Sequence, residues 1–558
     1  MNHFDLGTHT MSVTTKSETA QFWFNYGLNW CYGFNQEEGV TCFQKALEYD
    51  AECAMAHWGV AYAAGPFYNY AWCDFSDEEA RKCTRFCHKH ILLAQRYAGN
   101  TTAVEKGLID AIAARIQQPH PVSQSEYDQW DDAYSDAMRA VYKAHPDNHD
   151  VAALFAEAMM TRTPWKLWDV HRGEPPPATD TYEILDVLET SIRSLQQQNR
   201  KPHPAILHLH IHALEMSNHP ERAMESANAL QDLCPDAGHL NHMSGHIYVL
   251  CGEYEKARMA SVKAIRADDM YLDYAGPYNF YTTARCHDLH LMMYICMLSG
   301  QYQAAMNAAT KICNTLTWDV LSVTGRPQLA TTMEGYYSMK MHVLVRFGKW
   351  QDIVDTELPP DPDVYCVSTA MHHYAKGIAL AALKQHELAE TERLRFYESL
   401  KRIPASRKFF NNEARTTLAI GEMMLEGEIA YHLGDYDRAF DCLRESVRRD
   451  DNLEYSEPWA WMHPPRHALA ALLAEQQHYE EAEDIYRTDL GLNDKLQRCA
   501  QHPDNVWSLH GLVECLAIRG ETTERPLYEE KLQAALSCTD IAITSSCMCR
   551  LNTAAAHP

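Results

Sequence analysis

Helical periodicity is the feature that most constrains the fold of this 558-residue chain. Apolar and small residues recur three, four and seven positions apart along most of the sequence, whereas runs of alternating β-branched residues are absent from it. Turn signals such as Gly-x-Tyr, His-Pro and Asp-Pro interrupt the pattern at short intervals. The sequence therefore predicts an all-α fold built from many short helices.

A unit of 34 residues repeats within this helical pattern. Small residues recur at its positions 8, 20 and 27, where they let two helices approach each other closely. The copies are marked by Gly27 with Gly39, Phe43 and Ala46, by Gly377 with Ala389, by Gly427 with Ala439 and Leu443, by Ala470 with Ala482, and by Trp507 with Gly511.

These residues resemble the tetratricopeptide repeat. The resemblance implies an α-solenoid, in which helix pairs form a superhelix wrapped around a central concave pocket. It is weakest over residues 66–200 and 315–370, where we expect irregular helices and long loops, with one loop at HRGEPPPATDTYE (171–183). We predict N-terminal helical repeats in residues 1–200, central histidine-rich repeats in 201–315 and C-terminal helical repeats in 316–558.

Histidines gather in the central repeats, which begin at residues 204, 238 and 286. The resemblance implies that positions 2, 5, 9 and 12 of each first helix line the groove. Eight residues occupy such positions: His208, His212, Glu215, His239, His242, His246, His287 and His290. His210 is about 200° from His208 around the same helix and is predicted to face away. His372 and His373 also fall outside the groove positions.

The same segments carry a narrower resemblance. Residues 208–223, 237–254 and 287–290 are similar to a bacterial and fungal group of tetratricopeptide proteins with histidine-rich central repeats. This similarity supports the placement of the histidines, and it implies no particular reaction.

Imidazole and carboxylate groups on facing helices are typical of metal sites. Seven imidazoles exceed the needs of one ion, so we predict a dinuclear centre whose ligands are the eight residues named above. Imidazole-dominated ligation favours copper, then iron, with zinc as a further candidate. Asp288 is predicted to orient His287 rather than to bind the ion, although both roles stay open.

We predict a metal-dependent oxidoreductase that uses dioxygen to oxidise a small organic molecule in the groove. The candidate catalytic residues are Glu215, Tyr278, Arg466 and His467. Tyr278 lies in a tyrosine-rich insertion at 271–281, and Arg466 has the chemistry to bind a substrate carboxylate. Two alternatives stay open: a non-catalytic tetratricopeptide adaptor that binds a peptide, and a zinc-dependent hydrolase.

Charge and composition restrict the partners. The net charge of −26 and the lack of a basic run argue against nucleic acid and anionic membranes as partners. The sequence shows no secretory signal and no apolar stretch of membrane-spanning length, and its 18 cysteines are interpreted as reduced thiols. We therefore predict a cytoplasmic protein with a small-molecule substrate; the sequence indicates no oligomeric state.

Overall fold

The computed structural model describes residues 4–323 and 327–550. These residues form twenty-five α-helices and one two-stranded hairpin, which confirms the predicted all-α class of α-solenoid type. No helix among the described residues is both long enough and apolar enough to cross a membrane.

Most of the helices are joined by connections of a few residues. The first thirteen are α1 (Glu18–Tyr32), α2 (Gln36–Tyr49), α3 (Ala54–Ala64), α4 (Asp77–Tyr97), α5 (Ala103–Arg115), α6 (Gln124–Ala144), α7 (His149–Arg162), α8 (Thr181–Gln197), α9 (Pro204–Glu215), α10 (Met224–Leu230), α11 (Gly238–Leu250), α12 (Tyr254–Ala275) and α13 (Tyr281–Leu298). The remaining twelve are α14 (Tyr302–Thr315), α15 (Trp318–Leu321), α16 (Pro327–Arg346), α17 (Trp350–Asp355), α18 (Cys366–Ala382), α19 (His386–Arg402), α20 (Ala414–His432), α21 (Tyr436–Asp451), α22 (Pro465–Glu475), α23 (Tyr479–Asp489), α24 (Val506–Ile518) and α25 (Arg525–Leu536). The antiparallel hairpin pairs β1 (Lys408–Phe409) with β2 (Asn412–Glu413).

The chain divides into two compact units. The first comprises the residues up to Ile247 together with Lys263–Tyr274 and Asn279–Tyr281. The second comprises Tyr248–Val262, Ala275–Tyr278 and the residues from Thr282 onward. The three-part division by repeat type at residues 200 and 315 stays a prediction.

Glycines at the predicted repeat positions bring paired helices into close contact. In the first unit, a Cβ atom added to Gly27 of α1 would lie 3.0 Å from the Cβ of Cys42 and 3.1 Å from the carbonyl oxygen of Gly39 on α2. In the second unit, a Cβ on Gly427 of α20 would lie 2.8 Å from Leu443 Cγ on α21. Larger side chains would force these helices apart, so the contacts confirm the tetratricopeptide-like helix pairs.

Residues 66–200 are more regular than predicted. Helices α4 to α8 occupy most of this stretch, and the long irregular segments are limited to 65–76 and 163–180, which include most of the predicted loop. The added Cβ of Gly107 on α5 would lie 3.1 Å from Val141 of α6. Helices α5 and α6 therefore come into close contact where this glycine packs against a branched side chain.

The stretch 315–370 fits the prediction only in part. Helices α15 and α17 are short, and no helix covers residues 356–365, whereas α16 is a regular helix of 20 residues.

One cysteine pair corrects the expectation of reduced thiols. Cys547 and Cys549 form a disulfide, while sixteen other cysteines are free. The turn that contains them holds their Cα atoms 5.4 Å apart, within the range that a disulfide spans.

Candidate metal centre

Helix α9 and the part of helix α11 up to Ile247, both in the first unit, bring five of the seven predicted histidines together. His203 caps the N-terminus of α9, and Pro204 occupies its first turn, where proline needs no backbone N–H. The side chains concerned, which we call the imidazole cluster, are those of His208 and His212 on α9 and His239, His242 and His246 on α11. Each of these residues is at most 2% exposed, so water is largely excluded from the cluster.

Three of these imidazoles converge at the spacing of metal ligands. One nitrogen each of His208, His212 and His239 lies within 4.8 Å of the others. The Nε2 atoms of His208 and His239 are 3.1 Å apart. Two nitrogens that each lie about 2.0–2.1 Å from one ion are separated by about 2.9–3.4 Å at angles of about 90–110°. The observed distance fits that range.

Hydrogen bonds on the outer ring nitrogens prepare two of the rings for metal binding. Nδ1 of His208 lies 2.8 Å from the carbonyl oxygen of Tyr32, and Nδ1 of His212 lies 2.7 Å from Oε1 of Glu215. Because these oxygens only accept, each Nδ1 carries the ring proton and donates it. The Nε2 atoms then keep their lone pairs, which is the arrangement of metal-binding histidines in known sites.

Glu215 occupies a position that its predicted role did not anticipate. Its side chain is fully buried, and its second oxygen lies 3.4 Å from Nδ1 of His246. The carboxylate therefore faces the outer nitrogens of two imidazoles, one on α9 and one on α11. This geometry favours an orienting role over the predicted metal-ligand and catalytic roles.

His242 and His246 form a closer pair. They are one helical turn apart, and their Nε2 atoms are separated by 2.5 Å. This distance is shorter than an ordinary N–H hydrogen bond and shorter than the separation of about 2.9–3.4 Å worked out above for two ligands of one ion. The pair would have to open slightly to bind a metal.

Aromatic rings cover the imidazole cluster. The ring centroid of Phe34 lies 4.3 Å from that of His208 and 5.3 Å from that of His239, while Tyr68 and Trp165 lie 5.2 and 5.7 Å from His212. Phe34 and Trp165 were not predicted as site residues. Both adopt positive φ angles, 55° and 61°, in turns, where helical periodicity provides no signal.

The histidines predicted to lie outside the site have other partners. Nδ1 of His210 lies 2.9 Å from the hydroxyl of Ser226, on the opposite face of α9 from His208, which confirms the prediction. In the second unit, His372 bonds to the carbonyl of Ser368 and His373 to the carboxylate of Glu392.

The third predicted segment belongs to the second unit. His287, Asp288 and His290 lie on α13, and His290 is completely buried. Neither ring nitrogen of His290 has a hydrogen-bond partner among the described residues. Burial, reinforced by the charges of His287 and His342, holds the pKa of His290 well below its usual value.

His467 belongs to a buried network around Asp489 in the second unit. Asp489 accepts hydrogen bonds from Nε2 of His467 at 2.8 Å and from Nδ1 of His502 at 2.7 Å. Arg346 donates to the other nitrogen of His467, so this imidazole is neutral, and the hydroxyl of Tyr294 lies 2.5 Å from Nε2 of His502. Burial would raise the pKa of Asp489, but the two histidines hold it well below its usual range.

Arg466 and Tyr278 differ in their exposure to solvent. Arg466 is 4% exposed and pairs with the carboxylate of Asp451, and its Nε lies 3.9 Å from Asp489. Tyr278 is 51% exposed. The geometry favours a structural role for Arg466 and His467, and the catalytic roles of Arg466, His467 and Tyr278 stay predictions.

Comparisons with known proteins do not assign the chain to a family. No protein-family model and no curated protein matches it. Solved structures to which it is similar include the human IFIT1 dimer with m7Gppp-AAAA (12% identity over 94% of this chain and 92% of that one, TM-score 0.30), the APC/C hetero-tetramer Cut9-Hcn1 (14%, 93% and 76%, TM-score 0.31) and yeast Tom70 (10%, 93% and 93%, TM-score 0.27). Similarity at these TM-scores gives no information about function. The assignment of the fold as tetratricopeptide-like depends on the helix pairs described above.

Proposed function

We propose that this protein is a metal-dependent oxidoreductase, in which the imidazole cluster holds copper or iron and dioxygen oxidises a small organic molecule. The supporting observation is the arrangement of His208 and His212. Each donates its Nδ1 proton to a fixed oxygen, and the Nε2 lone pairs of both are left for a metal together with His239.

The donor set limits the metal. The three convergent ligands are imidazoles, and the carboxylate of Glu215 faces the outer nitrogens of His212 and His246. Imidazole donors suit copper, iron, zinc and nickel, whereas a carboxylate-rich set would suit magnesium, calcium or manganese. Bound copper or iron would supply the electron exchange with dioxygen that amino-acid side chains lack.

The chain itself would orient the ligand imidazoles and exclude water from the metal site. The Tyr32 carbonyl and the Glu215 carboxylate hold ligand rings in one orientation, and burial keeps bulk water away. The rings of Phe34 and Tyr68 provide apolar contact for an organic substrate. A peptide-binding adaptor needs exposed side chains, so residues that are at most 2% exposed favour metal binding over that alternative.

Metal analysis of paired variants tests the proposal. The full chain would be produced with copper, iron, zinc, nickel and manganese in the medium and purified without chelators. We expect at least one copper or iron per chain, with imidazole nitrogen couplings in the electron paramagnetic resonance spectrum. The double variant His208→Gln/His239→Gln should lose this metal, while His210→Gln, altered on the opposite face of α9, should retain it.

Two results would overturn the proposal. Less than one transition-metal ion per chain in the unmodified protein would remove the metal centre, and so would equal metal content in the double variant. Stoichiometric zinc without copper or iron would remove the oxidoreductase and leave the hydrolase, because zinc does not change its oxidation state. Circular dichroism of each variant verifies that the helices are intact.

A further inference from the structure

A second polar cavity lies in the first unit, at the start of helices α7 and α9. Its volume is about 350 Å³, within the range of small-molecule sites. Its walls include residues 8–10 near the N-terminus, 147–150 at the start of α7 and 200–204 at the start of α9. None of these residues belongs to the imidazole cluster.

Two cationic side chains and two helix N-termini lie at this cavity. Helices α7 and α9, of 14 and 12 residues, begin here, and helix N-termini carry partial positive charge. Arg200 and Lys201 also line the cavity. Lys201 donates to the hydroxyl of Thr8 at 3.0 Å, whereas the guanidinium of Arg200 makes no hydrogen bond or ion pair with any described residue.

The buried side chain of His149 is a second, independent observation that indicates a ligand in this cavity. It lines the cavity and is only 6% exposed, yet neither ring nitrogen has a hydrogen-bond partner within the described parts of the chain. Burial and the nearby charge of Arg200 lower its pKa, so the ring is neutral near pH 7 and can donate one N–H. A buried polar group without a partner is costly, and a ligand that accepts this proton would satisfy the N–H donor of the ring.

Two acidic residues, Asp147 and Asp150, also line the cavity, and the contacts of Asp150 are made within the protein. Oδ1 of Asp150 already accepts from the hydroxyl of Tyr32 at 2.8 Å, from His9 at 2.9 Å and from His203 at 3.2 Å. Burial would raise the pKa of Asp150, but the hydrogen bonds from His203 and His9 hold it well below its usual range. The other acid, Asp147, is exposed to solvent.

The alternative of a metal held by His9, Asp150 and His203 is less favourable, although their donor atoms lie within 4.8 Å of one another. Nδ1 of His203 accepts the backbone N–H of Ile206 as the cap of α9. The ring proton is therefore on Nε2, which donates to Asp150. The nitrogen that would have to bind the ion carries a hydrogen, and Arg200 and Lys201 would repel a cation.

We propose that this cavity binds a small oxyanion, a carboxylate or a phosphate, through Arg200, Lys201 and the N–H of His149. The site is separate from the proposed metal centre and does not depend on it. Guanidinium and ammonium groups supply charge-assisted hydrogen bonds, and the helix N-termini add favourable potential.

Calorimetric titration of the full chain with inorganic phosphate and, separately, with succinate tests this site at constant ionic strength. We expect saturable binding of one ion per chain for at least one of the two probes. Arg200→Ala should weaken it by about tenfold, as expected for a lost charge-assisted contact, and His149→Gln should weaken it as well. Arg193→Ala is the matched control, because Arg193 lies on α8 outside the cavity and is more than half exposed.

The probe that binds identifies the oxyanion as phosphate or carboxylate, and binding of both supports a site for oxyanions in general. Absence of saturable binding for both probes would overturn the proposal. Equal affinity in the unmodified protein and in Arg200→Ala would also overturn it. Arg200 is exposed, so this variant retains the fold even if His149→Gln does not.

Discussion

The exchange of Glu215 for glutamine separates an orienting role from direct metal ligation. The carboxylate accepts the Nδ1 proton of His212 at 2.7 Å and faces Nδ1 of His246 at 3.4 Å. Glutamine keeps one acceptor oxygen but presents an N–H donor in place of the other. One of the two imidazoles then loses its charged acceptor, and its ring is free to turn or to change tautomer.

The expected loss follows from these two distances. A hydrogen bond to a charged acceptor contributes about 1.5–3 kcal/mol, and the 3.4 Å contact contributes less because it exceeds normal hydrogen-bond length. A loss of about 1.4–2.7 kcal/mol corresponds to about 10- to 100-fold in affinity, which matches the effect of removing an outer partner from metal-binding histidines. We therefore expect Glu215→Gln to weaken metal binding by about 10- to 100-fold.

Competition of the metal-free protein with a chromophoric chelator measures this change. Glu157→Gln is the matched control, because Glu157 is also a buried glutamate of the first unit and accepts from the hydroxyl of Tyr62 rather than from an imidazole. An affinity within about twofold of the unmodified protein would refute the orienting role. A loss beyond about 1000-fold would instead make Glu215 a direct ligand, as the sequence predicted.

Two further predictions concern stability. Gly427→Val should lower the free energy of unfolding, measured by urea denaturation, by about 1–3 kcal/mol, because its Cβ would lie 2.8 Å from Leu443 Cγ. Gly99→Ala, in the first unit, should leave the free energy of unfolding nearly unchanged, because the new Cβ would have open space around it. Equal urea midpoints for the two variants would contradict the close helix contact. Glu428 is completely buried, and burial raises its pKa from 4.5 to about 8. The folded protein therefore binds a proton that the unfolded chain releases, and stability falls as pH rises between these two values. Glu428→Gln, which carries no such proton, should gain about 3 kcal/mol relative to the unmodified protein between pH 4.5 and pH 7, and a stability difference independent of pH would refute this reasoning.

Local periodicity explains which parts of the structure could be predicted. The glycines at 27, 39 and 427 predict close helix pairs from the sequence, because a close approach of two helices restricts side-chain size at fixed spacing. The same periodicity separated His208 from His210 on α9. It failed over residues 66–200, where Gly107 packs against Val141 and the helices α5 and α6 start at capping boxes rather than at repeat signals.

The outer contacts of the imidazole cluster could not be predicted in this way. The partner of His208 is a backbone carbonyl 176 residues away, on α1, and any residue type at position 32 would supply it. Glu215 was recognised as part of the site, but only the packing of α9 against its neighbours shows that its two oxygens reach Nδ1 atoms rather than a ligand position.

The sequence by itself determined the all-α repeat architecture and the helix faces that carry the histidines, because both depend on residues three or four positions apart. The tertiary structure determines which ring nitrogens of His208 and His212 are left for a metal, which aromatic rings cover the imidazole cluster and which histidines bond to Asp489. These outcomes depend on contacts between residues distant in the chain, such as Tyr32 with His208 and Tyr294 with His502, and such contacts leave no periodic signal in the sequence.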